Sequence, residues 1–110
     1  MEINVETITN TINDCIIDLA QHTLKDYVPQ VQTDAPGIIT EIKDKIPSWT
    51  HGLAFDDSIS PEYLKVLIQN DKTLLKFESL AHTQVNRMQL EEFRKNVANL
   101  IVIGILLYLP

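Results

Sequence analysis

The stretch from Asn96 to Leu109, N-V-A-N-L-I-V-I-G-I-L-L-Y-L, limits the folds open to this chain more than any other. It has helix length and is followed by Pro110. Its first half keeps one polar side, but from Leu100 onward it is apolar all round apart from Gly104. A helix without a polar face must be covered by protein or by lipid. The chain has 110 residues, a one-domain length, so residues 1–110 are expected to form a single helical domain. A domain this small buries roughly 60–70% of the surface its unfolded chain exposes. The terminal helix therefore needs either the centre of a bundle or a contact between subunits.

The rest of the chain supplies amphipathic partners for it. Ile8, Ile12, Cys15, Ile16 and Leu19 recur at three- and four-residue steps, opposite Asn10, Asn13, Asp14, Asp18 and Gln21. That spacing predicts a helix from about Val5 to Val28, where Pro29 ends or kinks it. Residues 30–35 read as a polar connection. Pro36 reads as the first residue of a second helix, with Ile38, Ile39, Ile42 and Ile46 on its apolar side. Pro47 is expected to interrupt that helix, leaving Trp49 on an irregular last turn. Thr50 to Ser60 reads as a loop with Leu53 and Phe55 tucked inward. Ser60, Pro61 and Glu62 then combine a hydroxyl cap, a preset first residue and a first-turn acid, which marks a helix start.

Between Glu62 and Ile103 there is neither proline nor glycine. Tyr63, Leu67, Asn70, Leu74, Phe77, Ala81, Gln84 and Met88 follow alternating four- and three-residue steps, the pattern of a heptad seam. Asn70 and Gln84 are its polar members, as register-setting residues are. Leu90, Phe93, Val97, Leu100, Gly104 and Leu107 make a second seam displaced by two residues. A smooth coiled coil does not easily absorb that displacement. A break within the polar residues 82–88 would resolve it; one long bent helix is the alternative. The expected fold is all-α, a small bundle of three or four helices with the apolar C-terminal helix at the core or subunit contact. The interaction residues expected from the seams are Asn70, Leu74, Phe77, Gln84, Phe93, Val97, Leu100, Gly104 and Leu107.

Charge narrows the function classes. The net charge is −6, which argues against non-specific nucleic-acid binding, since that needs a basic footprint. Residues 1–62 hold eleven acids and three bases, while residues 63–110 hold four acids and six bases. The halves could pack on each other or on the opposite half of a second copy. Cys15 is the only cysteine, so no disulfide framework is expected. Its apolar neighbours suggest a small core residue. The opening residues are acidic and lack an apolar run, which gives no sign of a secretory leader and makes a cytoplasmic protein the default.

Chemistry-bearing groups are sparse. Asp18 with His22, and Glu78 with His82, are four residues apart; bundle di-iron sites use a three-residue Glu-to-His spacing. Exposed side-chain pairs explain both, and no metal or cofactor is expected. His51, Asp56 and Asp57 form the most site-like loop cluster, although two acids before a helix are usually a solvated turn. No phosphate-cradling glycine loop or nucleophile elbow is present. Arg87, Arg94 and Lys95 precede the apolar tail, as in membrane anchors. Yet residues 97–109 span only about 20 Å as a helix, against a hydrocarbon core of about 30 Å. The expected role is a non-enzymatic helical interaction or assembly module, homo-oligomeric or bound to another protein. The alternatives are a membrane-associated protein anchored by residues 97–109, and an acidic inhibitor or immunity-type protein that binds a basic target through residues 1–62.

Overall fold

The computed structural model describes residues 4–71 and 77–108. Among them are five α-helices, one 3₁₀ turn and no strand: α1 (Val5–Thr23), the turn Lys25–Tyr27, α2 (Val28–Ala54), α3 (Pro61–Gln69), α4 (Glu78–Ala81) and α5 (Arg87–Leu107). The chain is thus a small helical bundle with more helices than the three or four expected. Ile8, Ile12, Ile16 and Ala20 give α1 one buried stripe. Its N-terminus is capped by Asn4, whose Oδ1 accepts from the Thr7 amide at 3.0 Å. The helix stops at Thr23, five residues before the expected end. There Leu24 leaves helical geometry (φ −133°, ψ 51°) and its side chain is buried.

Prolines act differently in α2 than the sequence suggests. Pro29 lies in its first turn, and the helix runs through both Pro36 and Pro47 to Ala54. Residues 30–35 are therefore helix, not a connection, and Trp49 lies on a regular helix with its side chain buried. An interior proline costs a helix about 3 kcal/mol through a lost hydrogen bond and a ring clash. Val31, Ala35, Ile38, Ile42, Ile46 and Trp49 keep one continuous buried line past both prolines. Each buried isoleucine contributes about 1.5–3 kcal/mol relative to exposure, so the line outweighs the two interruptions. Pro36 and Pro47 are exposed, as are Gln32 and Lys43, the residues whose carbonyls lose a donor. Water can serve those carbonyls.

Helix α3 starts where expected: the Ser60 Oγ accepts from the Tyr63 amide at 3.1 Å, with Pro61 next. Its buried residues are Leu64 and Ile68. The proposed first seam does not form. Asn70 is the exposed C-cap of α3, Gln84 is exposed in the turn before α5, and Tyr63 and Met88 are exposed large side chains. Leu74 lies outside the described residues. Phe77 is buried, but at a positive φ of 40° just ahead of α4, not within a continuous helix. The expected break within 82–88 is present, and α5 begins at Arg87 after Asn86, whose Oδ1 accepts from the Met88 amide at 2.7 Å.

Two contacts to α2 hold the segment around α4. The Asp34 carboxylate accepts from the Ser79 amide through Oδ1 and from the Leu80 amide through Oδ2, both at 2.9 Å. Lys45 Nζ donates to Asp71 Oδ2 at 2.6 Å. A four-residue helix such as α4 cannot hold itself together, because helix nucleation is unfavourable. Asp34 offsets that cost by satisfying two of its free amides. Asp34→Ala should lower the free energy of unfolding by about 1.5–3 kcal/mol, the range for hydrogen bonds to a charged group. Asp34→Asn, which keeps one acceptor oxygen, should lose less. Equal urea midpoints for wild type and Asp34→Ala would contradict this role.

Candidate interaction face

Helices α1 and α5 run antiparallel. Ile12 lies against Gly104, where an added Cβ would sit 2.8 Å from Ile12 Cγ1. Toward one end the Thr11 and Tyr108 hydroxyls are 3.1 Å apart. Toward the other, Thr23 and Leu24 share a groove of about 310 Å³ with Met88, Gln89, Glu92, Phe93 and Asn96. The close crossing expected at Gly104 thus falls inside the chain, between α1 and α5.

The burial pattern of α5 explains why a helix apolar all round can sit in so small a bundle. Leu90, Phe93, Val97, Ala98, Ile101, Val102, Gly104 and Ile105 are buried. Leu100 and Leu106 are half-buried. Ile103 is 53% exposed and Leu107 is 71% exposed. Asn96, Leu100, Ile103 and Leu107 recur at three- and four-residue steps, so they form one line on the helix. Half-buried Cys15 and Leu19 border that line from α1, and Cys15, Asp18, Leu19, His22 and Leu100 line a second groove of about 300 Å³. Met88, near the start of α5, is 80% exposed.

Of the expected interaction residues, the structure brings Leu100 and Leu107 to this face. Phe93, Val97 and Gly104 lie beneath it, buried. Phe77 packs edge-to-face on Phe93, ring centroids 5.1 Å apart, so it too is a core residue. Asn70 and Gln84 lie elsewhere, at helix ends. Sequence reasoning missed Ile103, Cys15 and Leu19 as surface residues. The signal for Ile103 was present: it falls on the polar side set by Asn96 and Asn99, two turns beyond the first and one beyond the second.

The polar clusters are open to water. His51 Nε2 is 3.2 Å from Asp56 Oδ2, with both side chains more than half exposed. The His51 ring leans on Phe55, which is itself exposed and not tucked inward as expected. His22 Nδ1 is 2.8 Å from the Asp18 carbonyl oxygen and 3.7 Å from its carboxylate. Exposed pairs of this kind contribute about 0–1 kcal/mol. Among the described residues no group of three or more His, Cys, Asp or Glu side chains could hold a metal ion. No helix among them is long and apolar enough to cross a membrane. No family model, curated protein or solved structure matches this chain.

Proposed function

We propose that the chain is a non-enzymatic assembly module that self-associates through the face shared by α1 and α5. The observation that carries this reading is the exposure of Ile103 and Leu107 on the apolar last turns of α5, where their neighbours Ile101, Val102, Gly104 and Ile105 are buried. Burying a Leu or Ile side chain contributes about 1.5–3 kcal/mol, so covering this pair together with Leu100 and Leu19 supplies a driving force for association. The face is mixed rather than wholly apolar, with Asn96 on the same line. Polar rims around an apolar centre are usual at protein contacts. The terminal helix serves both roles in this reading, core on its inner side and subunit contact on its outer side. A cytoplasmic setting goes with it, since the lone cysteine, Cys15, offers no disulfide framework.

Ile103→Glu with Leu107→Glu tests the reading. Both positions are exposed in one chain, so the double variant should keep its helix content and denature at a similar urea concentration. It should sediment as a monomer where the wild type associates. A double variant that associates as the wild type does would move the contact to another face.

The second reading, an acidic binder, draws on α1, which carries Glu6, Asp14 and Asp18 and no Lys or Arg. A basic protein partner would then associate faster at low salt than at high salt.

A further inference from the structure

We draw no further inference here: the strongest candidate, the surface patch of Leu100, Ile103 and Leu107 on α5 beside the groove lined by Cys15, Asp18 and His22 of α1, belongs to the face already described, and nothing in the structure shows what covers it.

Discussion

Phe93→Ala is expected to lower the free energy of unfolding by about 3–5 kcal/mol, the cost of deleting a large buried ring. Phe93 is 2% exposed and Phe77 is 1% exposed, and their rings meet at 71° with centroids 5.1 Å apart. Truncation removes the transferred area and an edge-to-face contact, and it leaves a cavity beside Phe77. The position also links two segments: Phe77 precedes α4, while Phe93 belongs to α5. Losing the ring removes that link as well as emptying space. Small domains have only about 5–15 kcal/mol in total, so the urea midpoint should fall by a large fraction. A loss below about 1 kcal/mol would mean that the ring is not enclosed as described.

Gly104→Leu is expected to damage both folding and association, because an added side chain there meets the buried Ile12. An added Cβ would sit 2.8 Å from Ile12 Cγ1 and 3.3 Å from Ile12 Cδ1, and Ile12 is itself 1% exposed. Ile12 cannot swing into solvent, so α1 and α5 must part. Overpacking of this kind costs about 1–3 kcal/mol, occasionally more. Because α1 and α5 together form the proposed contact, their separation should weaken association as well as folding. Ile12→Ala, destabilising alone, should recover part of the loss when combined with Gly104→Leu, giving a negative coupling in the double-mutant cycle. Strict additivity of the two changes would contradict a direct contact.

Much of the fold can be read where local signals and tertiary packing agree. Ser60, Pro61 and Glu62 announce α3, and the cap forms as its chemistry requires. The isoleucine spacing of α1 predicts its buried stripe. The break expected within residues 82–88 is present, with α4 ending at Ala81 and α5 beginning at Arg87. Misreadings arise where packing overrides a local rule. Pro36 and Pro47 signal interruptions, but the buried line from Val31 to Trp49 is worth more than two lost hydrogen bonds. The absence of proline and glycine after Glu62 suggested a helix that runs on to the break within residues 82–88, yet α3 ends at Gln69 without either. Asn70, a residue type that favours helix ends, caps the stop, but the seam reading places it inside the helix. The stop coincides with the long-range contacts Lys45–Asp71 and Asp34–Ser79, which no sequence period reveals. A seam drawn through Asn70 and Gln84 assumed a continuous helix and fails with it.

The candidate face was legible in part. The apolar tail announced that something must cover it, and Leu100 and Leu107 were among the residues expected to make the contact. Its other half was hidden because Cys15 and Leu19 look like ordinary core positions of α1. Only the antiparallel packing of α1 on α5 brings them to the edge of the groove, half-buried beside Leu100. Gly104 was expected to admit a neighbouring backbone. It admits α1 of its own chain, and this turns Ile103 and Leu107 outward.

Sedimentation equilibrium of the intact chain in detergent-free buffer tests self-association most directly. The expected result is a reversible association whose limiting mass is twice the 12.5 kDa of one chain, lost on Ile103→Glu with Leu107→Glu. A mass of one chain at every concentration would contradict it.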